Sequence, residues 1–446
     1  MCGPEAFRLS KRTEIPTAPA RGRGYAAEVR FFQAASGPAA MSQHSLSGAG
    51  ALSGIRVLDL TSAVVGPYAS KIMADHGADV IKVEAGEGDV IRWIAGPSPT
   101  PGMSGKFLHL NRGKRSIVLD LKRAEGREAA MRLVARTDVL LINMRPRAVK
   151  RLGLDYEDVA RINPRLVYCA MVGFGPGPYR DTPAYDSIIQ GGAGVAALAE
   201  MATGEPRYVP YVVADRTVGL MALNAVMMAL FQRERTGAGQ RIEVPMFENM
   251  AALVLSEHLY GATFDPPLSP PGDLRLIDPQ ARPVKTLDGY VCLTTNTDAQ
   301  AFALMRVMGR PEMQTDPRFC TKQARAAHSS EYFGIRAQEM AKRTTAEWLA
   351  LLKEADIPAM PYNTLDSLRA DPQVRASGLL RAVDHPSEGR MWDLADPTQM
   401  SARGEPATRP APRLGEHGAE ILAEAGYAPE EIDALAAAGV LGAAAD

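Results

Sequence analysis

Ile55-Arg-Val-Leu-Asp-Leu60 and Asp79-Val-Ile-Lys-Val-Glu84 are short, nearly continuous apolar runs, and between them Gly66–His76 carries apolar residues three or four apart. A strand covered on both faces has no wet side, so it loses the apolar–polar alternation of a half-exposed one. Three more such runs follow at Ser116–Leu121 (SIVLDL), Asp138–Asn143 (DVLLIN) and Leu166–Val172 (LVYCAMV), with a helical pattern over Ala124–Arg136. Strands and helices alternating at this spacing build βαβ units. The fold class is therefore α/β, a doubly wound parallel sheet.

Beyond these units a long helix is expected over Gly219–Arg235, closed by cationic residues and glycine, then a strand at Arg241–Pro245 and a helix over Phe247–Tyr260. Residues 262–286 are interrupted by Asp-Pro-Pro, Ser-Pro-Pro-Gly-Asp and Ala-Arg-Pro, and read as a linker in which neither helix nor strand persists. A smaller unit is expected next, with a strand at Tyr290–Thr294 and helices near 299–308, 330–342 and 345–354. Two helices close the chain between Leu414 and Leu441. No internal repeat is visible.

At 446 residues the chain holds about two domains. Its 46% apolar and 23% charged residues are ordinary globular usage. A net charge of −1 gives no electrostatic case for nucleic acid or an anionic membrane. The cysteines Cys2, Cys169, Cys292 and Cys320 stand far apart, without a CxxC pair, and the histidines are scattered. No metal site is expected, and the thiols read as reduced ones in a cytoplasmic protein. No apolar run approaches the ~20 residues of a membrane span. Residues 1–40 carry six basic and three acidic side chains without periodicity or an apolar core segment. They read as a disordered or non-native extension, with Met41 the effective start.

The most informative local feature is Val212-Val-Ala-Asp-Arg-Thr-Val-Gly219, which sets Asp215 where an apolar run gives way to a helix. At the mouth of an α/β sheet a carboxylate can serve as nucleophile, helix cap or solvated turn residue. Common motifs for other chemistries are missing. There is no GxxxxGK[ST], no GxGxxG after the first strand and no GxSxG. Gly173-Phe-Gly175-Pro-Gly177-Pro is either a turn or a loop whose amides approach a ligand. Arg112, Lys114 and Arg115 precede the third strand, and Asn143, Arg145, Arg147 and Arg151 follow the fourth. These suit a polyphosphate ligand or, equally, a salt-bridged solvated face.

Taken together, Leu52-Ser-Gly-Ile-Arg-Val-Leu-Asp-Leu-Thr61, Gly66-Pro67, Gly77–Glu84, Asn111–Ile117 with Leu119-Asp120, Asn143-Met-Arg-Pro146, Ala184-Tyr-Asp186, Thr236–Gln240, Asp371–Arg375 and Pro412–His417 resemble the class III (CaiB/BaiF type) CoA-transferase family. The resemblance runs from Leu52 to the C-terminus. It implies a Rossmann-like large domain built from both chain ends, an inserted small α+β domain, and a homodimer of two interlocked subunits. Applied here, it divides the chain into an extension at 1–45, the first part of the CoA-binding domain at 46–260, linker and small domain at 261–365, and a return to the large domain at 366–446. The family's nucleophilic Asp falls on Asp215. Its CoA-contacting positions fall on Ser62, Ala63, Val64, Val65, Leu119, Asn143, Met144, Arg145, Arg151 and the segment Pro183–Asp186 with Tyr185 and Asp186.

The activity so implied moves CoA from an acyl-CoA, with succinyl-CoA the donor suggested by family habit, to a small carboxylic acid. The CoA thioester is a substrate, and no permanently bound cofactor is expected. Two departures bear on the substrate. Ala85 stands where some members carry an Arg, and Val64 where oxalate-type members carry Gln, whose tetraglycine loop is also missing. The alternative is an α-methylacyl-CoA racemase of the same fold. Racemases place a His in the triplet that reads Ala184-Tyr185-Asp186 here, and a phenol is a poor proton acceptor at neutral pH.

Overall fold

The computed structural model describes residues 50–401 and 409–442; the extension expected at 1–45 lies outside them. Six strands, β1 Arg56–Leu60, β2 Asp79–Glu84, β3 Lys114–Val118, β4 Val139–Ile142, β5 Val167–Val172 and β6 Gln240–Pro245, form one sheet in the order β3-β2-β1-β4-β5-β6. Every neighbouring pair is parallel. The chain reverses its direction of winding between β1 and β4, and a doubly wound sheet opens its ligand crevice at the carboxyl ends of such strands.

Alternate side chains enter two cores. Leu58, Leu60, Leu140 and Ile142 face one side, where Ile421, Leu422, Tyr427 and Leu441 of the C-terminal segment pack against them. Val57, Val139 and Leu141 face the other and meet Val218, Ala222 and Val226 of the helix Val213–Thr236. The C-terminal segment is also bonded to β3: the Gly442 amide donates to Val118 O at 3.1 Å and the His417 amide to Ser116 O at 2.9 Å.

The helix Val213–Thr236 lies close against the helix Val65–Asp75, and Gly219 is the reason it can. A Cβ there would sit 2.7 Å from the Val65 carbonyl oxygen. By length and composition alone the long helix could cross a membrane, with a mean hydropathy of 1.4 over an 18-residue window. One face is nevertheless core, while Leu220, Met228 and Phe231 are exposed.

The middle segment forms a three-stranded antiparallel sheet of β7 Val284–Lys285, β8 Tyr290–Leu293 and β9 Ala359–Pro361. Helices Asp298–Val307, Ser329–Met340 and Thr345–Glu354 surround it, with Trp348, Leu352 and Met340 in the core. Thr297 and Thr344 open two of these helices with capping boxes. Three sequence expectations need correction. The stretch 262–286 holds a short helix, Leu274–Ile277, started by the Asp273 side chain, and ends in β7. An antiparallel hairpin, β10 Leu380–His385 and β11 Gly389–Leu394, was not anticipated. Its Asp393 pairs with Arg112 at 2.6 Å. Finally, β3 begins two residues earlier than expected, so Lys114 and Arg115 lie inside it.

Candidate active site

Asp215 lies within the first turn of the helix Val213–Thr236, not at a strand end. No strand precedes it: Val212 is the residue before the helix and packs against the cluster around Phe107, and Val213 is already the first helical residue. The helix has no local cap. Asp186 performs that task from 28 residues away, its Oδ1 accepting the Ala214 amide at 2.8 Å and the Asp215 amide at 3.2 Å. Capping satisfies donors that a helix start leaves without partners. Asp186 is itself held by Gln190, whose Nε2 donates to Oδ2 at 2.6 Å. The same Gln190 accepts the Val209 amide at 2.9 Å and donates to Tyr211 O at 3.1 Å, securing the loop that leads into Asp215.

Burial pushes the Asp215 carboxyl up to about 6, and the charge of Asp186 adds to the effect, while Lys106 and Arg216 pull it back. Desolvation disfavours the charged form, and so does a like charge. Arg216 lies over the Tyr68 ring at 4.3 Å, with a buried Nε that has no hydrogen-bond partner among the described residues. The result is a carboxylate stripped of much of its water yet ionised at neutral pH, flanked by two cations.

The residues expected to meet CoA fall into three groups. Ser62, Ala63, Val64 and Val65 form the turn after β1 and the start of the next helix, and Ala63 takes a positive φ of 64°. Asn143, Met144 and Arg145 follow β4, and Arg151 lies on the helix Pro146–Leu152. These two groups meet at the β1/β4 gap, where Asn143 Oδ1 accepts the Ser62 amide at 3.1 Å and its Nδ2 donates to Ser62 O at 2.9 Å. Arg145 and Arg151 are exposed and have no ion pair among the described residues. Tyr185 is 72% exposed beside Asp186. Leu119 stands apart: it is in the core, bridged to Leu441, with its amide donating to Glu84 O.

The basic residues ahead of and within β3 do not form a phosphate cradle. Arg112 is bound to Asp75 and Asp393, Lys114 to Asp59, and Arg115 to Asp79, Glu420 and Glu424. Each cation is matched by a carboxylate distant in sequence, so for these three the salt-bridged alternative holds, on a buried rather than a solvated face. In the Gly173–Gly177 loop the Gly175 amide is occupied by Glu248 at 2.9 Å. Among the described residues no group of three His, Cys, Asp or Glu side chains is placed to hold a metal.

With this geometry in view, comparison with known proteins is decisive: the profile of CoA-transferase family III matches residues 52–418. The chain belongs to CoA-transferase family III. This CoA-transferase is 36% identical to a succinate–glutarate CoA-transferase of Agrobacterium fabrum, over 84% of this chain and 95% of that one. It is 31% identical to a formyl-CoA:oxalate CoA-transferase of a Bradyrhizobium species, over 88% and 97%. Among solved structures, a CaiB/BaiF family protein from Brucella suis superposes with a TM-score of 0.72 at 33% identity, covering 84% of this chain and all of that one.

Three residues that act on Asp215 or its cap, or hold the turn after β1, were not legible in the sequence. Lys106, on the helix Gly105–Asn111, acts on Asp215 only through the fold. Lys82 is fully buried under the β1 turn, where its Nζ donates to Thr61 O and to Asp89, both at 2.9 Å. Gln190 sits 1% exposed behind Asp186. An isolated Lys or Gln carries no local signal for such a role.

Proposed function

We propose that the enzyme transfers CoA from succinyl-CoA to a small dicarboxylate such as glutarate, with Asp215 as the covalent carrier. The observation that carries this reading is the Asp215 carboxylate itself, partly desolvated, raised to about 6, and set in a helix start whose backbone amides Asp186 accepts. The dicarboxylate is supported by the Agrobacterium relative, and Val64 argues against oxalate.

In this mechanism an Asp215 oxygen attacks the thioester carbonyl carbon. The C–S bond breaks, leaving a mixed anhydride and CoA thiolate. The thiolate attacks the aspartyl carbonyl and displaces succinate, which gives an aspartyl-CoA thioester. The acceptor carboxylate then attacks that carbonyl and releases the thiolate a second time. Attack of the thiolate on the acceptor's acyl carbon forms the new thioester and restores the carboxylate. No net proton or electron is consumed, and thioester and anhydride lie close in energy. At pH 7 a carboxyl titrating near 6 is roughly nine-tenths ionised, so no general base is required. Removal of water around it strengthens an otherwise weak nucleophile. CoA is held by its non-reacting tail at the β1/β4 gap, where the Ser62–Val65 turn, Asn143, Met144, Arg145 and Arg151 gather. Retaining the thiolate in this way lowers the entropic barrier to its return.

We further assign the chain to a homodimer with a large domain of residues 46–260 and 366–446 around a small one at 261–365. Support for the dimer comes from exposed Leu220, Met228, Phe231, Leu253 and Leu255 on two adjoining helices. A reducing, cytoplasmic setting fits the free thiols of Cys169, Cys292 and Cys320. The racemase alternative lacks its His, since Tyr185 occupies that position.

The test is to mix enzyme, succinyl-CoA and a pool of organic acids and follow acyl-CoA products by mass spectrometry. Glutaryl-CoA or a related dicarboxyl-CoA is the expected product. Deuterium uptake at the α-carbon of a 2-methylacyl-CoA without exchange would transfer the protein to the racemase reading. A second prediction concerns Asp186→Asn, which keeps an amide oxygen for the cap while deleting the charge. The acid limb of kcat/KM, expected near pH 6, should move down by up to about one pH unit. An unmoved limb would exclude Asp186 as a source of the shift.

A further inference from the structure

A cleft of about 760 Å³ opens between the end of the helix Met246–His258 and the helical layer of the middle segment. That size suits a small organic ligand. Its lining is electrostatically lopsided: Arg275, Arg282, Lys322, Arg325 and Arg336 face it against a single carboxylate, Glu257. Two of these cations are already neutralised, Arg275 by Asp273 and Arg325 by Asp298. Among the described residues the Arg282 side chain reaches only the amide oxygen of Gln280, at 3.3 Å. Neither Lys322 nor Arg336 has an ion pair among the described residues.

Arg336 is the decisive group. It is 7% exposed, stacks on Phe333 at 4.4 Å, and its buried Nε has no hydrogen-bond partner among the described residues. Burial holds its pKa below the usual guanidinium range, the mark of a desolvated cation without a strong counter-charge. A buried guanidinium is costly unless an oxyanion meets its fork of donors. Among the described residues no carboxylate lies within ion-pair distance of it, Asp278 acting only from farther off, and the cleft gives an anion from solution access to it.

We propose that this cleft binds a small organic anion carrying two or more charges, one oxyanion end on Arg336 and the other between Arg282 and Lys322. The site shares no residue with the Asp215 centre or the β1/β4 gap, and its existence does not depend on the transfer mechanism. A dicarboxylate and a phosphorylated metabolite offer the same chemistry, so the probes are glutarate and inorganic pyrophosphate.

Calorimetric titration of the full-length protein tests this, with circular dichroism to check each variant's fold. One of the two anions should bind once per chain, and Asp215→Asn should bind it equally well. Arg336→Met should weaken binding at least about tenfold. Lys322→Met changes an exposed side chain and leaves folding unaffected; it should weaken binding several-fold. Failure of both anions to bind at millimolar concentration would overturn the proposal, as would binding that survives both substitutions or is lost with Asp215→Asn. A change of oligomeric mass in Arg336→Met would overturn it too, by assigning the cleft to a second copy of the chain. Because the readout is binding, its failure is distinct from any failure of CoA transfer.

Discussion

Replacing Asp215 by Asn is expected to remove CoA transfer, lowering kcat/KM on the order of 10⁴-fold or more, and at the same time to stabilise the fold at neutral pH. The first effect follows from the proposed role of covalent carrier, since a carboxamide cannot form the anhydride. The second follows from linkage. Burial and the Asp186 charge raise the Asp215 carboxyl from 3.8 to about 6 in the folded state. A carboxyl with a raised pKa binds protons more readily folded than unfolded. The ionised group therefore opposes folding, with the penalty setting in above pH 4 and complete once pH exceeds 6. Asn carries no such penalty. The thermal midpoint should rise at pH 7 and stay unchanged at pH 3, where Asp215 is protonated in both states. Calorimetric melts at the two pH values check this. A midpoint that falls at pH 7 would mean that the carboxylate is a structural anchor of the helix start.

The second large effect is expected from Lys82→Met. Lys82 and Asp89 are both fully buried and lie 2.9 Å apart. Burial pulls the Lys82 pKa down, but Asp59, Asp89 and Glu84 together more than offset it and hold it above the usual lysine value. Its partner Asp89 accepts the amides of Ala63 at 2.9 Å and Ile91 at 3.1 Å. One ammonium thus fastens the turn after β1 from below, at the residue that takes a positive φ. Methionine fills the same volume but leaves Asp89 buried and uncompensated, a loss of about 3–5 kcal/mol. With Thr61 O and the Asp89 contact released, the Ser62–Val65 turn loosens, and KM for the acyl-CoA should rise more than kcat falls. Urea unfolding and steady-state kinetics read the two parts separately. A destabilisation below about 1 kcal/mol would show that water replaces the ammonium without consequence.

The parallel sheet was legible because its strands are covered on both faces. β2 runs over the same residues as its apolar pattern, and β1, β4 and β5 fall within a residue of theirs. β3 was misplaced because Lys114 and Arg115 look like loop residues until Asp59, Asp79 and Glu424 are brought to them by the fold. The β10–β11 hairpin was invisible for a different reason: it is only partly buried, and its apolar residues Leu380, Ala382, Val383, Met391, Trp392 and Leu394 do not alternate. Asp215 was singled out as the candidate nucleophile by the resemblance, but its setting was not legible. Arg216 is its chain neighbour, but Asp186, which is both cap and second carboxylate, comes with Gln190 from the helix Asp186–Gly192, and Lys106 from the helix Gly105–Asn111. Spacing along a sequence cannot report distances that only tertiary packing creates.

In the proposed mechanism Asp215 becomes covalently acylated during transfer. The most direct measurement is to react the enzyme with succinyl-CoA, quench with hydroxylamine, and determine the mass and fragmentation of the peptide containing Asp215. A hydroxamate on Asp215, appearing only with succinyl-CoA and missing from Asp215→Asn, is the predicted result. An unmodified Asp215 peptide from enzyme that is turning over would contradict the account.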